Sequence, residues 1–322
     1  MIEPARARFY RLIFGLAAAY NVAFGLWAAL WPLAFFRLFE LEPPRYPSIW
    51  SCLGMVVGVY GLLYAYATIR LDRALPIVAI GLAGKILGPI GWLLSPEWPA
   101  RTFTLITFND IVWWVPFGMF LLEGRAVAGV IRRAAPFICG ACNALGGLAL
   151  LLILKPGSEV EPDLAKRAAY ISEHPVLWRL GWLTWYASAL SLLGFYAWWG
   201  TKLPRPGWGL AAWGVAAAGI CCDLTAESLF IGWLPDRIES IQRAGTLLTG
   251  AAANGLYTVA GIMLTAATPS MPLRPLAWVI WTFGLGLTAS ALAGSVAGMV
   301  VTTGGLMALF CPWTWLMGWK LK

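Results

Sequence analysis

Apolar stretches of about 20 residues recur along this chain, and that length of helix crosses the hydrocarbon core of a bilayer. Ten can be read, at 10–31, 48–69, 74–94, 102–122, 135–154, 176–200, 208–234, 244–267, 275–294 and 298–319. The last two are separated only by a small-residue run between 293 and 298. Charged residues make up 12% of the 322 positions, whereas a soluble domain carries about 25%. The fold class read from this pattern is all-α, a polytopic integral membrane helical bundle of about ten transmembrane helices.

The net charge of +8 is distributed as a membrane topology rather than as a nucleic-acid surface. With ten spans the connectors alternate sides. Thirteen Lys and Arg, including Arg6, Arg8, Arg11, Arg132 and Arg133, fall on the amino-terminal side against three acids. The other side balances nine basic with nine acidic residues. Excess Lys and Arg mark the cytoplasmic face, which places both termini in the cytoplasm of a cell with this protein in its cytoplasmic or inner membrane. The apolar stretch after Arg11 is too long for a cleaved leader and reads as a signal anchor. Many of the 20 tryptophans lie near span ends, where interfacial anchoring explains them. Trp113 and Trp114 fall near mid-span and need another reason.

The connectors are short. In the longest, roughly 155–175, Leu164, Ala168 and Ile171 recur at helical spacing and predict a short amphipathic helix on the outer surface. A second interfacial piece is read at 32–47, where Phe35, Phe36 and Phe39 form an apolar face between prolines. The preferred division of the chain is a four-helix unit (1–123) joined by the charged stretch EGRAVAGVIRR to a six-helix unit (134–322). Two five-helix halves of opposite topology are the other division, as in many transporters, although no sequence repeat relates them.

RLIFGLAAAYNVAFGLWAALWP, then FRLF, then LGMVVGVYGLLYAYA and a short basic turn, resembles the small four-helix DoxX-like membrane proteins. The resemblance covers residues 6–122 at most. It implies a membrane subunit associated with redox or quinone chemistry. No family motif matches residue by residue, so it assigns no site residue.

Four ionisable side chains interrupt the apolar stretches: Lys85, Asp110, Asp223 and Glu227. Charges at such depth are costly and are kept with a partner or for a task. Lys85 lies in GLAGKILGPIGW beside a stripe of Gly81, Gly84, Gly88 and Gly91, with Pro89 one turn on. A broken, glycine-rich helix of this kind lines transporter sites or serves as a tight packing face. Asp110, in FNDIVWW, falls at similar depth on the next span, so the reading predicts a Lys85–Asp110 pair with Asn109 and the two indoles completing a polar network. Asp223 and Glu227, in CCDLTAESLF, are four apart and stack on one helical face. Two carboxylates so placed cannot both stay ionised without a shared proton or cation. Asn254 on the following span completes a set of hard oxygen ligands suited to Na⁺ or protons.

Cys139 and Cys142 form CGAC, a spacing used by dithiol redox pairs and soft-metal clamps but equally by small packing residues. They are weak metal candidates. The lone histidine, His174, excludes a histidine-rich di-iron site or a bis-histidine haem built by this chain alone. No cofactor motif, P-loop or nucleophile elbow is present. The sequence therefore points first to a secondary transporter or permeation protein for a small solute. Its candidate ligand or ion-binding residues are Asp223, Glu227, Asn254, Lys85, Asp110 and Asn109. A membrane-embedded redox or lipid-modifying enzyme, or a subunit of one, is the alternative, and a scaffold or sensor the third. Expected partners are the lipid bilayer, a small solute or ion, and further copies or a membrane subunit; nucleic acid is not among them.

Overall fold

The computed structural model describes residues 4–94, 98–123, 126–234, 237–268 and 270–321. Among these, every regular element is helical. Nine stretches are long and apolar enough to cross a membrane: Arg6–Leu30, Pro47–Ile69, Leu71–Trp92, Ala100–Leu122, Gly129–Gly157, Gly207–Gly232, Ile238–Ala267, Arg274–Ala293 and Val296–Lys320. The protein is a multi-pass helical bundle whose solvent is lipid. The tenth stretch of the sequence reading is the helix Pro175–Gly200, about 39 Å long at 1.5 Å per residue. Its tryptophans and tyrosines lower its mean hydropathy, and most of them are buried in protein rather than turned to lipid. Its aromatic content is what separates it from the other nine.

The chain forms two compact units, Met1–Ala128 and Gly129–Lys322. The first contains α1 (Pro4–Leu30), α2 (Ala34–Leu38), α3 (Pro47–Ile69), α4 (Ala74–Leu93), α5 (Phe103–Asn109) and α6 (Trp114–Leu122). Helices α1 and α3 pack backbone to backbone. A Cβ placed on Gly25 would lie 2.6 Å from the Gly54 carbonyl oxygen and the Gly58 Cα, the close approach that small residues permit between membrane helices. The segment read as interfacial turns its phenylalanines inward instead. Phe35 is fully buried and stacks on Trp50 with ring centroids 4.6 Å apart. Arg101 holds the turn after α2 through the Phe39 and Glu40 carbonyls, at 2.5 and 2.8 Å.

The second unit contains α7 (Ala126–Ala149), α8 (Leu164–Glu173), α9 (Pro175–Gly200), α10 (Pro206–Gly232), α11 (Ile238–Thr246), α12 (Asn254–Ala267), α13 (Arg274–Ala293) and α14 (Val296–Lys320). Helix α7 begins at Ala126, so most of the charged stretch 123–133 is the first turns of a helix and not a linker; residues 124 and 125 lie outside the described residues. The amphipathic helix foreseen in the long connector is α8. Asp163 caps it, accepting from the Ala165 and Lys166 amides, and Ile171 is its buried anchor. Burial pushes the Arg167 pKa down from its ordinary value, opposed by the charges of Glu159 and Glu161. Its guanidinium donates to the Gly157 carbonyl and to Gln242.

Two apolar clusters fill this unit. One gathers Phe195, Trp199, Trp281, Phe310 and Trp313 and takes Ala212 and Ala216 from α10. The other gathers Leu154, Ile171 and Trp178 and takes Ala226 and Phe230 from α10. The helix pair α13–α14 reverses at Gly294, whose φ of 70° requires glycine. Arg243 closes the last turn of α13 by donating to the Ala291 and Leu292 carbonyls, each at 2.8 Å.

Candidate functional site

In the first unit, two breaks in helical hydrogen bonding create the polar site. Pro89 has no N–H, so the Lys85 carbonyl four residues back lacks its helical donor. The Trp114 indole supplies one, at 3.0 Å. On the partner span, α5 ends at Asp110, whose φ of −122° and ψ of −62° leave the helix. The Trp113 amide then bonds the Asp110 carbonyl rather than that of Asn109. The freed Asn109 carbonyl takes the Lys85 ammonium, and the freed Phe108 carbonyl takes the Trp113 indole at 3.1 Å. The mid-span tryptophans are thus donors that repair a broken backbone.

Lys85 and Asp110 are 6% and 4% exposed and lie in one polar site, within electrostatic reach of each other. They do not form the direct pair read from the sequence. Among the described residues no ion pair within 4.0 Å joins them. The reason is local: the break at Asp110 offers the ammonium a carbonyl first, and Asn109 Nδ2 takes Asp110 Oδ1 at 2.8 Å. The Trp113 ring also faces the ammonium, at 5.7 Å. Gly88 makes room for the carboxylate, since a Cβ there would lie 2.7 Å from Asp110 Oδ2. Lysine, carbonyl, amide and carboxylate therefore answer one another around a helix break.

The second unit holds the other two charges on α10, whose apolar window is 56% buried. Asp223 is 6% exposed, with both oxygens engaged: Thr249 donates to Oδ1 at 2.5 Å and the Tyr257 hydroxyl to Oδ2 at 3.0 Å. Both donors come from one stretch in which Leu247–Ala253 is wound as a π-helix before α12. At roughly 100° per residue, positions eight apart on an α-helix diverge by about 80°; wider π turns advance less per residue and bring Thr249 and Tyr257 onto one face. Gly219, one turn before Asp223, gives the tyrosine ring its place, for a Cβ there would lie 2.8 Å from the ring.

Glu227, one turn further, is 1% exposed, and neither carboxylate oxygen has a hydrogen-bond partner among the described residues. The indole nitrogens of Trp182 and Trp185, packed against the same apolar cluster as Phe230, are likewise buried without acceptors. The neighbouring hydroxyls turn elsewhere. Thr225 donates to the Cys221 carbonyl, and Ser228 to that of Leu224. Asn254, placed by the sequence reading with the two acids, instead ties α12 to α13. Its Nδ2 donates to the Gly284 carbonyl at 2.6 Å and to Thr288 at 2.9 Å. The same π segment that aims Thr249 and Tyr257 at Asp223 sets Asn254 off that face.

Cys139 is fully buried, with its Sγ accepting from Asn143 Nδ2 at 3.5 Å, while Cys142 is part-exposed. All six cysteines are free thiols. No group of three or more His, Cys, Asp or Glu among the described residues is placed to hold a metal ion.

The chain matches no protein-family model, no curated protein and no solved structure. Its chemistry has to be taken from the two sites themselves, and they differ in kind. Around Lys85 each charge has a stated partner. Around Asp223 the donors are bound to one carboxylate, and none among the described residues reaches Glu227. An uncompensated carboxylate in a low-dielectric interior holds a proton or waits for a cation. Thr249 and the π segment were not legible as site elements, because a π turn leaves no mark in hydrophobic spacing.

Proposed function

We propose that this chain is a secondary transporter or permeation protein for a small solute, in a cytoplasmic or inner cell membrane with both termini in the cytoplasm. The acid pair Asp223–Glu227 couples movement of the solute to a proton or to Na⁺. One observation carries the reading: Glu227, deep in an apolar helix, has two buried oxygens without partners one turn from a second carboxylate whose own partners are complete. A scaffold has no use for such a group, since leaving a buried polar group unpartnered costs about 1–3 kcal/mol. Intramembrane carboxylates in this state mark ion and proton pathways.

The surroundings support it. Along α10 the pair follows Ala212 and Ala216 of one apolar cluster and is interleaved with Ala226 and Phe230 of the other. Aromatic packing on either side is what an occluded site needs, because a leak of water would uncouple the two movements. The π segment is a wound turn able to relax to α, and such segments accompany functional sites. In the Lys85 site both charges are answered, only Asn109 Oδ1 being left without a hydrogen-bond partner among the described residues, and the site serves as the internal brace of its own unit.

The test uses proteoliposomes carrying a trapped pH-sensitive dye, challenged with a panel of small amines, amino acids and sugars. The wild-type chain is expected to give a solute-dependent proton or Na⁺ flux that Asp223→Asn abolishes while expression is kept. A flux that survives Asp223→Asn unchanged would remove the pair from the mechanism. Absence of any solute-dependent flux in the wild type would count against transport itself.

A further inference from the structure

We propose that Glu227 is the proton-carrying residue of the pair, that Asp223 beside it stays ionised, and that the Glu227 proton leaves only in exchange for a monovalent cation. This deepens the transport reading and rests on it for the exchange step. The division of roles comes from hydrogen-bond inventory. A carboxylate accepts and, when protonated, has one O–H to give. Asp223 receives two O–H donors, from Thr249 and Tyr257, and both favour its ionised form. Glu227 receives none. With one proton to place between two acids a helical turn apart, the proton belongs on the acid that has no donors.

Among the described residues, the groups around the acid pair supply no compensating positive charge. Its own helix contributes Asp223, with Cys222 beside that residue. The Tyr257 hydroxyl approaches from α12, bonded to Asp223. From α9 come Tyr186, whose hydroxyl reaches the Leu224 carbonyl and Ser228, and Tyr196, bonded to the Tyr257 carbonyl. The π segment offers Thr249, which does not titrate. The one basic residue on α9, Arg179, is exposed near its start, and Arg243 of α11 is tied to the end of α13. None of these supplies a positive charge at the depth of the pair.

The exchange balances without a further reagent. The Glu227 O–H bond breaks, the proton passes to water, and one positive charge takes its place between two carboxylates, so the net charge of the site is unchanged. That neutrality is what makes the step accessible in a low-dielectric interior, where releasing the proton alone would leave two adjacent negative charges. The cation class follows from the same count. A monovalent ion replaces one proton at unchanged charge, whereas a divalent ion commonly takes about six to eight oxygen ligands. The aromatic faces of partly buried Trp182, stacked near Phe230, and of buried Tyr186, bonded to Ser228, suit a small organic ammonium as well as an alkali ion.

Two measurements on the reconstituted full chain test this. Infrared spectra at neutral pH, recorded in water and in heavy water, are expected to contain a protonated carboxylic C=O band that disappears in Glu227→Gln and persists in Asp223→Asn. A band that ignores Glu227→Gln, or that Asp223→Asn removes instead, overturns the assignment, whatever becomes of transport. In dye-loaded vesicles, adding Na⁺, K⁺ or tetramethylammonium under matched osmolarity is expected to release protons from the wild type and not from Glu227→Gln. Response to Na⁺ or K⁺ assigns an alkali ion, and response to tetramethylammonium alone an organic one. Proton release that persists in Glu227→Gln, or solute flux in the wild type with no cation releasing protons, overturns the exchange while leaving the transport reading in place.

Discussion

Trp114→Phe removes one N–H from a fold whose account rests on that N–H. The Pro89 ring leaves the Lys85 carbonyl without its helical donor, and the Trp114 indole fills the vacancy at 3.0 Å. Orphaning a buried acceptor costs about 1–3 kcal/mol in water-soluble proteins, and side-chain hydrogen bonds inside membranes average about 0.6 with a maximum near 1.7 kcal/mol. A loss of about 1 kcal/mol is expected for the single variant. The diagnostic quantity is its dependence on Pro89. In Pro89→Ala the backbone N–H returns and can bond the Lys85 carbonyl within α4, so the same Trp114→Phe change should then cost little. Unfolding in bicelles, by steric trapping or by a denaturing detergent titration, gives the four corners of the cycle, and the lost ring area cancels between backgrounds. A coupling of about 1 kcal/mol is expected. Equal costs with and without Pro89 would refute the repair of the proline break by tryptophan.

Lys85→Met should destabilise the first unit by roughly 1.5–3 kcal/mol, the range for a charge-assisted hydrogen bond, because the Asn109 carbonyl and the Asp110 charge both lose the ammonium; adding Asp110→Asn should restore part of that loss in the same unfolding assay. Gly25→Ala pushes a methyl against the backbone of α3 at Gly54 and Gly58, and overpacking of this kind costs roughly 1–3 kcal/mol, measurable as a lowered thermal midpoint in detergent. The neighbouring Gly15, which meets nothing within 4 Å, should accept alanine with no loss.

What could be read in advance was local. A run of 20 apolar residues carries its own instruction, since the backbone in lipid must close its hydrogen bonds within the segment, and nine such runs stand among the described residues as helices long and apolar enough to span. Helix α9 was also legible as a helix, although its tryptophans serve a protein interior and give it a weaker lipid signature. The same logic misplaced Phe35, because an apolar face beside a proline looks alike whether it meets lipid or Trp50. Site residues could be found one at a time from their cost. Lys85, Asp110, Asp223 and Glu227 all stand out against their spans. Their partners could not, because partners were set by irregular backbone: the break at Asp110 that frees a carbonyl for Lys85, and the π turns that rotate Thr249 toward Asp223 and Asn254 toward α13. These distortions arise from tertiary packing, and hydrophobic periodicity does not record them.

On the proposed function, the acids of α10 carry the coupling while the charges of the first unit hold their own helices together. Solute-driven ion flux, measured in parallel for Glu227→Gln, Asp223→Asn and the Lys85→Met/Asp110→Asn double variant in proteoliposomes of matched protein content, tests it most directly. Flux should vanish in both α10 variants and survive in the double variant, whose defect is confined to stability. Loss of flux in the double variant with full flux in Glu227→Gln and Asp223→Asn would contradict the account.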